Sequence, residues 1–91
     1  MDYRITRHSG SGAPENALDL LWQQLGATQE EFSFSQTRAE IRARWRTDVS
    51  VSMERDERER RGRTIVLEIV RDTCRGAPDL NADWFAVSPR R

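Results

Sequence analysis

The chain has 91 residues, with 15 basic and 15 acidic side chains, so its formal net charge is zero. This length predicts a single small domain over residues 1–91, and a hydrophobic content of 36% predicts a thin core. A zero net charge argues against a general nucleic-acid-binding domain, which is normally basic. No stretch reaches the roughly 18–20 consecutive apolar residues of a membrane helix, so we expect no membrane partner.

The chain contains one cysteine, Cys74, and one histidine, His8. A single cysteine cannot form a disulfide within the chain, which fits a reducing cytoplasmic location. The two residues share no local catalytic signature, and neither belongs to a cluster with metal-ligand spacing. We therefore predict no metal, no cofactor and no enzymatic activity.

The first predicted elements are a strand and a helix. Apolar and polar residues alternate over Tyr3–Arg7, which predicts a strand, and residues 8–13 have the composition of a flexible loop. Pro14 suits the first turn of a helix, and Gly26 suits its end. Between them, apolar residues recur at helical spacing and form one stripe: Ala17, Leu18, Leu21, Trp22 and Leu25.

Two interpretations compete for the middle of the chain. Over residues 37–53 the odd positions are mostly apolar and the even positions polar, and this period of two favours a strand. The alternative is a helix over residues 38–46, supported by an N-terminal capping box from Thr37 to Glu40. A helix would split the apolar residues between opposite sides, so we favour the strand.

Phe32 and Phe34, which precede this strand, are apolar residues at even positions, whereas the apolar residues of the strand are at odd positions. A two-residue turn at Gln36-Thr37 would place Phe34 opposite Ala39, and a bulge near Gln36 is the other solution.

A further strand is predicted over Arg63–Arg71, because β-branched residues dominate its centre. It would pair with the strand that ends at Met53, with Met53 opposite Leu67. The segment 54–62 would then be a charged hairpin tip.

The last predicted elements are a turn at residues 76–79, a strand over Asp83–Ser88 at the edge of the sheet, and a mobile tail over residues 89–91. Trp84 and Phe85 are adjacent, so on a strand they point to opposite faces. One would join the core, and the other would form a contact patch with arginine neighbours.

Together these elements predict an α+β domain with one amphipathic helix packed on an antiparallel sheet of three to five strands. We expect Trp22 and Trp45 to be core partners between helix and sheet. The predicted inward face of the sheet comprises Ala39, Ile41, Trp45, Val49, Val51, Ile65, Leu67 and Ile69.

The predicted function is a small non-enzymatic protein-interaction or assembly module, whose partner is another protein or a second copy of the chain. All 15 basic residues are arginine, which reflects either GC-rich codon usage or recognition of anions by planar guanidinium groups. The candidate contact residues are Trp84, Phe85, Arg38, Arg42, Arg44 and Arg46.

A winged-helix DNA-binding regulator is the alternative. In that arrangement residues 38–46 would enter the major groove as a helix, and the tip at residues 54–63 would contact phosphates. Nucleic acid is the less favoured partner because the net charge is zero.

Overall fold

Four strands and two helices make up the computed structural model, which describes residues 2–26, 31–47 and 53–90. In chain order, the elements are β1 (Asp2–Arg7), α1 (Ala17–Gln24), β2 (Phe32–Gln36), β3 (Ile41–Trp45), α2 (Arg55–Arg75), a 3-10 turn (Ala82–Trp84) and β4 (Phe85–Arg90). The strands form one antiparallel sheet in the order β2-β3-β1-β4. The predicted α+β class and antiparallel sheet are therefore confirmed, and the order of elements is that of a split βαβ arrangement.

The core lies between the sheet and the two helices, which contact each other and β1. Alternate side chains of each strand point into it, as the period of two requires. From the sheet, the buried side chains are Tyr3, Ile5, Phe32, Phe34, Ile41, Ala43, Trp45, Phe85 and Val87.

Helix α1 forms where the apolar stripe predicts it, although it begins after Pro14. Ala17, Leu21 and Leu25 are buried, whereas Trp22 is only half-buried. Among the described residues no ring contact joins Trp22 to Trp45, although Trp22 packs against the core that contains Trp45. Trp45 instead packs on Phe32, with ring centroids 4.4 Å apart.

The β2–β3 hairpin corrects the predicted turn. Phe34 pairs with Ala43 rather than with Ala39, and a four-residue connection replaces the two-residue turn. Thr37 closes this connection because its backbone N–H and its hydroxyl both donate to Glu40 O, at 2.9 and 3.1 Å. Strand β3 excludes a helix over residues 38–46, and it is shorter than the predicted strand, with Ala39 exposed in the connection. The predicted strand residues Val49 and Val51 lie outside the described residues.

Helix α2 occupies the segment for which a strand was predicted over Arg63–Arg71, so that prediction is wrong. Its buried residues recur at every fourth position: Gly62, Val66, Val70 and Cys74. Ile65, Leu67 and Ile69, which were expected to face inward from a strand, are only half-buried on the flanks of this stripe. Burial of a helical stripe against the sheet has overridden the β-propensity of the Val and Ile residues.

The charged segment 54–62 is the beginning of α2 rather than a hairpin tip. Opposite charges four residues apart suit a helix, and two such ion pairs form, Arg55–Glu59 and Arg61–Glu57. The predicted pairing of Met53 with Leu67 is therefore absent.

A close contact joins β1 to α2. Tyr3 is fully buried, and its hydroxyl lies 2.9 and 2.8 Å from the backbone oxygens of Arg58 and Glu59, to which it donates. The ring passes over Gly62, where a side chain would leave it no room.

Strand β4 confirms the predicted edge strand, shifted by two residues toward the C-terminus. Phe85 enters the core and Trp84 stays half-buried in the preceding turn. Pro89 belongs to the strand rather than to a tail. Since Pro89 offers no N–H, and Val87 O accepts from Arg63 Nε at 3.3 Å, this edge is partly closed to further strands.

Candidate functional site: the open face of the sheet

Both helices pack on one face of the sheet, and no element of the described ranges covers the other face. The uncovered side chains are those that alternate with the core residues, and we call them the open face. They are small or charged: Asp2, Arg4, Thr6, Ser33, Ser35, Arg42, Arg44, Ala86, Ser88 and Arg90.

The strand register places four residues of the open face in one line across the sheet. Ser35 pairs with Arg42, Arg42 with Arg4, and Arg4 with Ser88. We call this line the central row. Its two arginines stand directly opposite each other on the two central strands, with Cβ atoms about 4.5–5.5 Å apart, an arrangement that destabilises a sheet through like-charge repulsion.

The arginines of the central row are only weakly neutralised. Arg4 Nε donates to Ser88 Oγ at 3.1 Å, and Arg4 has no carboxylate partner in the described ranges. Arg42 Nε lies 3.9 Å from Glu40 Oε2, beyond hydrogen-bond distance.

The neighbouring line across the sheet has a different charge pattern. Ser33, Arg44, Asp2 and Arg90 follow one another in register, so a carboxylate lies between the two arginines. Asp2 Oδ1 is 3.5 Å from Arg44 Nε. We call this line the paired row, because its charges alternate in the way that usually stabilises a sheet surface.

Small side chains keep the open face accessible. Ser33 and Ser35 are exposed, and they line a depression of about 260 Å³ together with Asp2, Arg42 and Arg44. The Arg44 side chain is 75% exposed and that of Arg42 is 41% exposed, although Arg42 Nε itself is buried without a hydrogen-bond partner.

Two of the predicted site residues, Arg42 and Arg44, lie on the open face. Arg38 lies in the β2–β3 connection, and Arg46 follows β3, where its N–H donates to Glu31 O at 2.9 Å. Sequence reasoning missed Arg4, because only the pairing of β1 with β3 brings it opposite Arg42.

A second depression, of about 550 Å³, surrounds the half-buried Trp84. Arg71 and Arg75 line it, and Arg75 is held by Asp72 at 3.1 Å. Trp84 therefore shares this depression with two arginines, and its role as a contact residue stays a prediction, whereas Phe85 is buried and cannot belong to a contact patch.

The displaced pKa values belong to groups away from the open face. Burial raises the pKa of Tyr3, and a smaller opposing influence comes from the neighbouring Trp45 indole. Burial also raises the pKa of the Cys74 thiol, so this residue is a poor nucleophile at neutral pH.

The open face is suited to binding anions rather than to transferring protons. Guanidinium groups stay protonated and present fixed N–H donors, and serine hydroxyls add further donors. Within residues 2–26, 31–47 and 53–90, no group of three His, Cys, Asp or Glu side chains is placed to hold a metal ion. None of the helices described is both long and apolar enough to cross a membrane.

Comparisons with protein-family models, with curated proteins and with solved structures give no significant match for this chain.

Proposed function

We propose that this protein is a non-enzymatic interaction module that binds an acidic segment of a partner protein on the open face of its sheet. The observation that carries the proposal is the Arg4–Arg42 pair, two like charges held directly opposite each other on the central strands. Such a pair costs stability in the free protein, and an anionic ligand between the two guanidinium groups would remove that cost.

The composition of the open face favours an acidic protein segment over nucleic acid. Proteins that bind single strands stack bases on aromatic side chains, and the open face has none, since Phe32, Phe34 and Trp45 all point into the core. The domain also has zero net charge, whereas binding to nucleic acid depends on a strong excess of positive charge.

The winged-helix alternative depended on a helix over residues 38–46 followed by a charged hairpin. Strand β3 and helix α2 occupy those segments, so the described chain has neither the recognition helix nor the wing. We therefore do not propose it.

The proposal is tested by titrating the ¹⁵N-labelled protein with hexaglutamate, hexaglutamine and hexauridylate. We expect hexaglutamate alone to shift the amide signals of Arg4, Ser35, Arg42 and Ser88, and the shifts to weaken as salt screens the contact.

The matched variants Arg4→Gln and Arg60→Gln each remove one exposed positive charge, the first from the open face and the second from the outer surface of α2. Arg4→Gln should weaken hexaglutamate binding roughly tenfold, while Arg60→Gln should not change it. Equal losses in the two variants, or tighter binding of hexauridylate, would contradict the proposal.

A further inference from the structure

We propose that the anionic group recognised by the central row is a phosphomonoester, so that the partner segment is a phosphorylated one. This inference rests on the proposed function, because it names the ligand of the same surface. Three properties of the open face support it: its charge balance, its set of donors and its lack of stacking side chains.

The charge balance of the open face favours a ligand with two negative charges. The open face carries four arginines, Arg4, Arg42, Arg44 and Arg90, and among the described residues the carboxylates beside them are those of Asp2 and the adjoining Glu40. Two positive charges remain uncompensated on a protein whose net charge is zero. A phosphomonoester carries a charge of roughly −1.5 to −2 at pH 7 and would neutralise this excess, whereas one carboxylate would leave part of it.

The donor set of the central row also fits phosphate. Arg4 and Arg42 supply two planar guanidinium forks, and Ser35 and Ser88 flank them with hydroxyl groups in the same line. A phosphomonoester offers three strongly accepting oxygens, enough to engage both guanidinium groups at once. A carboxylate has only two oxygens and a single charge, so a second guanidinium group would have to share the oxygens that the first one already contacts.

A phosphorylated protein segment fits better than a nucleic-acid strand. Each backbone phosphodiester carries a single negative charge, and bases would find no aromatic side chain on the open face. The depression beside Arg42 is lined by residues of β1, β2 and β3, so a ligand bound there would contact three neighbouring strands of the open face.

The test uses three peptides that differ only in their central residue, which is serine, glutamate or phosphoserine in an otherwise acidic segment. Affinities for the full-length protein are measured by titration calorimetry at pH 7.5 and again at pH 5. At pH 7.5 we expect the phosphoserine peptide to bind at least tenfold more tightly than the glutamate peptide. This advantage should shrink at pH 5, because the second pKa of phosphate is about 6 while glutamate stays ionised.

Two variants assign the effect to the central row. Arg4→Gln should reduce the phosphoserine preference roughly tenfold, and the charge-matched Arg60→Gln should leave it intact. Both positions are exposed, so we expect both variants to fold, which thermal melts would verify.

The possible failures are distinguishable. Equal affinity for the glutamate and phosphoserine peptides would overturn the phosphate inference and leave the proposed function standing. An absence of binding by any acidic peptide would overturn both. If inorganic phosphate or hexauridylate bound as tightly as the phosphopeptide, recognition of a phosphorylated protein segment would be refuted.

Discussion

Replacing Gly62 with alanine should destabilise this protein, although the same change in most helices does the opposite. In an exposed helix interior, alanine is favoured over glycine by about 1 kcal/mol. At Gly62, however, an added Cβ would lie 2.5 Å from Cε2 and 2.6 Å from Cζ of Tyr3. These distances are far below ordinary van der Waals contact, so the Tyr3 ring or helix α2 has to move.

The cost can be estimated from what holds Tyr3 in place. The ring is fully buried and packs edge-on against Phe32, with ring centroids 6.0 Å apart. Its hydroxyl donates to the backbone of α2. Overpacking of a core typically costs about 1–3 kcal/mol, and the loss of the hydroxyl hydrogen bond adds about 1 kcal/mol. After the gain in helix propensity is subtracted, we expect Gly62→Ala to lower the free energy of unfolding by roughly 1–3 kcal/mol.

Urea unfolding followed by circular dichroism measures this change. Thermal unfolding gives an independent check, because in a domain of this size each kcal/mol of lost stability lowers Tm by about 4–8 °C. A Tyr3→Leu background provides the control, because removing the ring leaves space for the Cβ, and Gly62→Ala should then be neutral or stabilising. Our reasoning would be refuted if Gly62→Ala raised the urea midpoint in the wild-type background.

Three further predictions concern the core, the C-terminal strand and alkaline pH. Trp45→Ala should lower the free energy of unfolding by about 3–5 kcal/mol, because the ring is buried against Phe32. Trp84→Ala should lower it clearly less, and equal losses in urea unfolding would show that Trp84 is a core residue. Deleting residues 82–91 should abolish the cooperative thermal transition, because it removes β4 and with it the pairing along β1; a remnant with a sharp melt would contradict this. The raised pKa values of Tyr3 and Cys74 imply that stability is fully present below their ordinary values of 10.0 and 9.0 and is lost as pH rises through the higher folded-state values. The free energy of unfolding, measured from pH 7 to 11, should therefore fall at alkaline pH, and it should fall less steeply in Cys74→Ala. A flat pH profile in the wild-type protein would contradict this prediction.

Local patterns in the sequence were sufficient to predict an element where the spacing of its apolar residues fits only one type of secondary structure. The alternation over Tyr3–Arg7 and the apolar stripe of α1 each satisfy only one type of secondary structure, and both elements formed. At β3 the strand was the favoured of two interpretations, because a helix would have divided Ile41 from Ala43, and the strand formed over a shorter range than predicted.

The segment Arg63–Arg71 shows where local reasoning fails. Its run of Val, Ile and Leu has apolar residues at odd and at even positions, so it is compatible with a strand face and with a helical stripe. The choice depends on what covers it: as a helix, Val66 and Val70 are buried against the sheet, and Gly62 lets Tyr3 reach the α2 backbone. That burial involves residues far away in the chain.

The candidate site also has one part that the sequence predicts and another that only the tertiary structure shows. The arginines of β3 could be placed on one face from their even positions alone, because side-chain direction in a strand is a local property. That Arg4 stands opposite Arg42, with serines on both sides, depends on β1 lying between β3 and β4. Strand order and register are decided by burying the inner faces of all four strands together, and only the tertiary structure shows which polar side chains that packing brings side by side on the open face.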